Sequence, residues 1–369
     1  MLSKLLRPWT VTLVVALLYL GWILSVNEGN PRVFVEIGSR FANGIQKIGT
    51  TGYDAQFFYF LAADPMTASD KIDVPAYRIQ RILFPALVRL FSFGQTRLIP
   101  WAMLAINLIG LGAAVFLMEK LLLSQRINRW HALPVGLYGG QLLSLRVDLP
   151  EPLALAFVLW GLWLFEQERH GWWLSALAFS LAVFTKETMV ITGLAYGLYL
   201  LTQRQIVRAL IFGIILVIPF LLFQLFLYAW LQSFGVGSGG AGATPFELIP
   251  FGGLFRVAEV SWMVFGMLSI ILGPIVVFPT LWAIYATGHE ILQHNWHPWT
   301  FALLLNALII VFIPHSTFRE PLAMLRFTIP FVALTILFAA YKKQWRPLNY
   351  SYLWLITIIF VFQDPRFWG

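Results

Sequence analysis

The chain has 369 residues, of which 59% are apolar and only 11% are Asp, Glu, Lys or Arg. A soluble domain carries about 25% charged residues, so the composition excludes a soluble fold and indicates an all-α, multi-pass membrane protein. The lack of cysteine excludes disulfides, thiolate metal sites and iron–sulfur clusters. The net charge of +8 is typical of a membrane protein with Lys and Arg at its cytoplasmic helix ends, so it does not indicate a nucleic-acid partner.

A membrane-spanning helix needs roughly 20 mainly apolar residues. The first apolar run follows Lys4 and Arg7 and lacks a small-residue cleavage site, which predicts an uncleaved anchor with a cytoplasmic N-terminus. The hydropathy pattern predicts eleven spans in a single transmembrane domain, 1–369. They cover 9–26, 98–118, 132–147, 150–165, 171–185, 188–202, 209–232, 259–284, 298–314, 326–341 and 349–363.

Two outer loops interrupt this pattern, at 27–97 and 233–258, and the second is rich in glycine. Within the first loop, residues 82–93 are too few to span and contain Arg89, which predicts a re-entrant or juxtamembrane helix. Earlier in the same loop, five apolar residues recur at helical spacing. This predicts a helix that lies in the membrane interface or packs on its own loop: Val33, Ile37, Phe41, Ile45 and Ile48.

The charge distribution predicts the orientation. With eleven spans, the inner segments have seven more basic than acidic residues, and the outer segments have one more. This bias follows the positive-inside rule and predicts a plasma (inner) membrane protein with its C-terminus outside. Most acidic residues then lie on the outer face near helix ends, where ionisable groups are costly and therefore functional candidates.

The first candidates lie in the outer loop. Asp54 precedes a helix-like run, so it is either an N-cap or a general base partly desolvated by neighbouring aromatic residues. Arg78 and Arg81 share a helix face. They either anchor lipid headgroups or bind a phosphate.

Further candidates lie between the later spans. Asp148 and Glu151 match a helix-start capping box in outline, or they bind a substrate hydroxyl or a divalent metal. Lys186 and Glu187 divide two apolar runs, so they form either a solvated hairpin tip or a phosphate contact. A last polar group on the same predicted face comprises Arg319, Glu320 and Arg326.

Two motifs match known patterns by letter only. The glycines of 235–240 fit a dinucleotide fingerprint but follow an apolar helix and lie in no βαβ unit. His289, Glu290 and His294 resemble a zinc-protease motif, but the second histidine comes one residue too late to share a helix face with the first.

Four parts of loop 27–97, namely Gly52–Tyr59, Ala62–Pro65, Tyr77–Arg81 and Pro85, resemble the first outer loop of bacterial membrane glycosyltransferases of the GT-C superfamily, over about 35 residues. Protein O-mannosyltransferases and the lipid A aminoarabinose transferase are relatives in that superfamily. Ala55 departs from the pattern, which has glycine there. The resemblance implies a GT-C-like fold, an acidic residue of this loop at the catalytic centre, and a polyprenyl-phosphate sugar donor. The acceptor, a lipid, glycan or protein, stays open.

By this resemblance Asp54 is the base, and Tyr53 and Gln56 flank it as substrate-binding residues. The predicted substrate-binding set also contains Arg78, Arg81, Asp148, Glu151, Lys186, Glu187, Arg319 and Arg326. The sequence identifies no definite cofactor, a divalent metal stays possible, and membrane lipids are expected partners. Two other function classes remain open: a lipid or solute transporter, disfavoured by the lack of an internal repeat, and a non-catalytic subunit of a cell-envelope pathway.

Overall fold

The computed structural model describes residues 6–42, 44–46, 48–167 and 171–362. Four charged residues used in the predictions lie outside this part, as does the chain end beyond 362: Lys4, Lys47, Glu168 and Arg169. The described residues form helices and no β-strand. In chain order the α-helices are α1 (Pro8–Val26), α2 (Ser39–Ala42), α3 (Ala55–Ala63), α4 (Pro75–Ile79), α5 (Leu83–Ser92), α6 (Ile99–Ser124), α7 (Leu133–Gly136), α8 (Gly139–Arg146), α9 (Glu151–Phe165), α10 (Gly171–Thr185), α11 (Val190–Thr202), α12 (Ile206–Leu231), α13 (Gly252–Val260), α14 (Trp262–Leu272), α15 (Phe278–Leu292), α16 (Pro298–Val311), α17 (His315–Arg319), α18 (Pro321–Phe327), α19 (Ile329–Tyr341), α20 (Trp345–Tyr350) and α21 (Ile358–Phe362).

Four helical segments in the described chain are long and apolar enough to cross a membrane. They are α1, α6, α12 and Trp262–Leu292, which joins α14 and α15 through a π-helical turn. A fifth is possible if α18 and α19, which meet at a bend of 48°, count as one broken span. The membrane character is therefore supported, but eleven spans are not confirmed.

The difference from the predicted count lies in helix length. The helices α9, α10 and α16 have only 15, 15 and 14 residues, although their composition is strongly apolar. The predicted span 132–147 divides into α7 and α8 because the backbone of Tyr138 is extended. Hydropathy detects apolar composition, but it does not detect a break of one or two residues.

The long helix α6 contacts α1, α5 and α9. The approach of α9 is close, since a Cβ on Gly110 of α6 would lie 2.7 Å from the Leu153 backbone. A second apolar cluster joins loop 27–97 to this bundle. There Phe58 of α3 meets Phe84 of α5 edge to face, with ring centroids 5.6 Å apart, and both belong to a cluster that includes Met103 of α6. Loop 27–97 is thus packed onto the helical bundle.

The predicted helix over 33–48 is wrong. Among the described residues of this stretch, only a 3₁₀ turn at Pro31–Phe34 and the four-residue α2 are helical. The chain reverses because Glu36 adopts a left-handed φ of 51° and the Arg40 amide donates to the Thr50 carbonyl at 3.1 Å. The short helix predicted at 82–93 is present as α5, and the glycine-rich loop predicted at 233–258 ends earlier, where α13 begins.

Candidate functional site

A cavity of about 620 Å³ lies where loop 27–97 meets the ends of several bundle helices. We call it the charged cavity. The glycine-rich segment between α12 and α13 forms one wall and the start of α17 another. Its lining comprises Asp54, Tyr77, Gln80, Arg81, Glu151, Lys186, Glu187, Thr188, 235–240, 243–246, Pro314, Ser316, Thr317, Ala323, Arg326 and Phe327.

The cavity brings together six of the predicted site residues, although they are far apart in sequence. All six lie near helix ends, where unpaired backbone groups and water make polar side chains less costly than in mid-helix. Asp54 precedes α3, Glu151 begins α9, and Arg326 lies near the end of α18; the others are Arg81, Lys186 and Glu187.

Asp54 does not act as a helix cap. Its backbone is already helical, and its side chain makes no capping hydrogen bond to α3. Instead the Asp54 Oδ2 atom lies 2.9 Å from Nη1 of Arg78. The side chain is 35% exposed, so the carboxylate is both oriented by an ion pair and accessible from the cavity. The structure contradicts the capping alternative.

Arg78 is buried between two carboxylates. Its Nε and Nη2 atoms donate to the two oxygens of Asp73, each at 2.9 Å, and its guanidinium stacks on the Phe57 ring with the centroid 4.7 Å away. Burial raises the pKa of Asp73, but the hydrogen bonds and charge of Arg78 outweigh it, so the net pKa is lowered. Arg78 is therefore a structural partner of Asp54, not a headgroup anchor.

The hairpin tip between α10 and α11 carries two paired charges and is not simply solvated. Glu187 accepts two hydrogen bonds from Arg81, both at 2.7 Å, which connects the tip to loop 27–97. Lys186 donates to Oε1 of Glu151 at 3.0 Å, which connects it to α9. Two charge-assisted pairs thus fix one side of the cavity.

Arg326 is the least engaged cation of the cavity. Its nearest ion-pair partner, Glu151, is 4.0 Å away, and its guanidinium lies over the Tyr53 ring at 5.4 Å. The Nε of Arg326 and the Oε2 of Glu151 are buried without a hydrogen-bond partner in the described structure. The Arg326 guanidinium can therefore donate hydrogen bonds to a ligand.

The remaining predicted residues lie elsewhere. Gln56 supports the loop, since it accepts from the Gly38 amide at 3.0 Å and donates to the Thr51 carbonyl at 2.7 Å. Asp148 is fully buried beside Asn107, makes no capping hydrogen bond and does not line the cavity. Arg319 does not line it either. Tyr53 contributes its ring to Arg326 and donates its hydroxyl to Glu320 at 3.1 Å.

Sequence reasoning missed two parts of the site. Asp73 carries no motif that distinguishes it from other loop acids. The glycines of 235–240, which match a nucleotide fingerprint by letter, instead form a wall of the cavity. The amides of Gly235 and Val236 both donate to Gln224 of α12, at 2.8 and 3.1 Å, which fixes the start of this wall.

Within the described residues, no three His, Cys, Asp or Glu side chains lie close enough to hold a metal ion. The divalent metal considered above therefore has no defined ligand set. No known family matches the chain, and no curated protein or solved structure is significantly similar to it.

Proposed function

We propose that the protein is a membrane glycosyltransferase of GT-C type, which transfers a sugar from a polyprenyl-phosphate donor to an acceptor hydroxyl at the charged cavity. The observation that carries this proposal is the exposed carboxylate of Asp54, ion-paired to Arg78, at a cavity that also contains three further cations. A carboxylate and a cationic phosphate site are the two groups that an inverting transfer from a lipid phosphate requires.

In the proposed reaction, the acceptor hydroxyl gives its proton to Asp54 as its oxygen attacks the anomeric carbon. The new bond joins this oxygen to the sugar, and the bond between the anomeric carbon and the donor phosphate oxygen breaks. The electron pair leaves with the polyprenyl phosphate. Attack opposite the leaving group inverts the configuration, and Asp54 later releases its proton to water.

The leaving phosphate requires positive charge. Arg81 and Lys186 are already paired with carboxylates at 2.7 and 3.0 Å, so an incoming phosphate would have to compete with these pairs. Among the described residues, the only ion-pair partner of Arg326 is Glu151, at 4.0 Å, and a buried guanidinium binds phosphate through two parallel N–H bonds. We therefore assign the main phosphate contact to Arg326.

The proposal extends to topology: eleven spans, a plasma-membrane location, a cytoplasmic N-terminus and an outer charged cavity. The charge bias of the sequence supports this orientation. The apolar helices that surround the cavity suit a donor whose lipid chain stays in the bilayer while its phosphate reaches Arg326.

The test is reconstitution of the purified protein in proteoliposomes with a panel of polyprenyl-phosphate sugars and a mixture of lipid, glycan and peptide acceptors. The proposal predicts that at least one donor is consumed and releases stoichiometric polyprenyl phosphate. Movement of intact donor across the bilayer without release would identify a transporter, and neither result would favour a non-catalytic subunit.

A further inference from the structure

The glycine-rich wall of the cavity lies directly on the ion pair that orients Asp54. The Ala241 amide donates to Oδ2 of Asp73 at 3.4 Å. A Cβ on Gly240 would lie only 3.0 Å from Nη2 of Arg78, so the backbone of the segment packs against the guanidinium. A displacement of this segment would thus affect both members of the Asp73–Arg78 pair.

The pairing geometry leaves one guanidinium nitrogen for Asp54. Asp73 binds Nε and Nη2 of Arg78, and Nη1 is the atom that faces Asp54. Because a guanidinium is planar and rigid, fixing two of its nitrogens fixes the direction of the third. Asp73 does not line the cavity, and the contacts that connect it to Asp54 run through Arg78.

We propose that Asp73 is a positioning residue that couples the placement of the glycine-rich wall to the orientation of Asp54 through Arg78. The inference rests on the proposed function. When the segment is in place, its Ala241 amide donates a hydrogen bond to the Asp73 carboxylate, which is bonded to Arg78. The cavity wall and Asp54 are then ordered together. When the segment moves away, Arg78 loses a packing contact and Asp54 loses part of its orientation.

The charges around Asp54 make this coupling measurable. Asp54 faces Arg78 in direct contact, and Arg81 and Arg326 at longer range. In Asp73→Asn the side-chain shape is kept, but the negative charge that balances Arg78 is removed. Asp54 then experiences more positive charge and becomes a weaker proton acceptor. We expect kcat to fall about tenfold or more, KM to change less, and the acid limb of the pH–rate profile to move to lower pH.

The experiment compares Asp73→Asn, Asp73→Glu and a matched control, Asp70→Asn, in the full-length protein. Asp70 lies in the same loop and is exposed, and in the described structure its carboxylate accepts one hydrogen bond, from the Ser69 hydroxyl at 3.4 Å. Three quantities are measured on proteoliposomes: kcat and KM for the active donor, the pH–rate profile, and amide hydrogen exchange of segment 235–246. A melting temperature within a few degrees of wild type establishes that each variant is folded.

The inference predicts faster exchange of the segment and a shifted acid limb in Asp73→Asn, substantial recovery of both in Asp73→Glu, and no change in Asp70→Asn. A purely structural role would lower stability without moving the acid limb. If Asp73→Asn changes neither the hydrogen exchange of segment 235–246 nor the pH–rate profile, the inference is overturned. Turnover by the wild type would in that case still support the proposed function. If the wild type shows no turnover, the proposed function fails, and the exchange result alone decides whether Asp73 holds the segment.

Discussion

Removal of the Arg326 side chain separates phosphate binding from structural support. Glu151 keeps its 3.0 Å bond to Lys186 when Arg326 is replaced, so no carboxylate is left buried without a cation. The pair that is lost is 4.0 Å long. We therefore expect Arg326→Ala to destabilise the fold by about 1–3 kcal/mol, the range of an ordinary side-chain truncation, because the lost ion pair is long but the side chain is buried and packs on Tyr53.

The effect on the donor is separate from this loss of stability. A hydrogen bond between charged groups contributes about 1.5–3 kcal/mol, which corresponds to a loss of about 10- to 100-fold in kcat/KM for the donor. Arg326→Lys keeps the charge but not the paired donors, so its loss should be intermediate. The matched control is Arg319→Ala, which removes a guanidinium seven residues earlier and outside the cavity lining.

The Arg326 and Arg319 variants are compared by their initial rates of polyprenyl-phosphate release at several donor concentrations. Melting temperatures are measured on the same preparations. If Arg326→Ala and Arg319→Ala lose activity equally, or if Arg326→Ala only lowers the melting temperature, the phosphate assignment is incorrect.

Three further predictions concern stability and topology. Gln56→Ala should lower unfolding free energy by about 1–3 kcal/mol because it leaves the buried Gly38 amide unpaired; a change confined to turnover would contradict its supporting role. The lowered pKa of Asp73 gives stability that is present above pH ~4 and lost as the pH falls further, so acidification from pH 5 to 3 should lower the wild-type melting temperature more than that of Asp73→Asn. Since the chain has no cysteine, an impermeant maleimide should label Ser69→Cys in intact cells and Ser124→Cys only after permeabilisation, and the reverse pattern would refute the orientation.

The sequence predicted the long helices well because their apolar composition is unambiguous. The span predicted at 209–232 corresponds to Ile206–Leu231, and the short helix predicted at 82–93 corresponds to Leu83–Ser92. Apolar periodicity failed at 33–48, where the backbone of Glu36 turns into the left-handed region. The periodicity of apolar residues does not reveal a reversal of the chain, because that reversal is stabilised by backbone hydrogen bonds.

The candidate site was predictable in residue type but not in pairing. The sequence identified Asp54, Arg81 and Lys186 as candidates because charged groups at helix ends are costly near a membrane. The structure assigned Arg78 to Asp73 and Asp54 and left Arg326 with donor capacity. These partners come from segments distant in sequence. The sequence alone therefore does not show which cation is already paired with a carboxylate and which can bind a ligand.

The most direct measurement of the central claim is the turnover of Asp54→Asn beside the wild type in the same proteoliposomes. The asparagine keeps the side-chain shape, and the lost ion pair is partly exposed, so stability should change by no more than about 1 kcal/mol. An amide cannot accept the acceptor proton, so the rate should fall by about 10²–10⁴, with donor binding retained. Wild-type turnover in Asp54→Asn would contradict the assignment of Asp54 as the base and, with it, the proposed site.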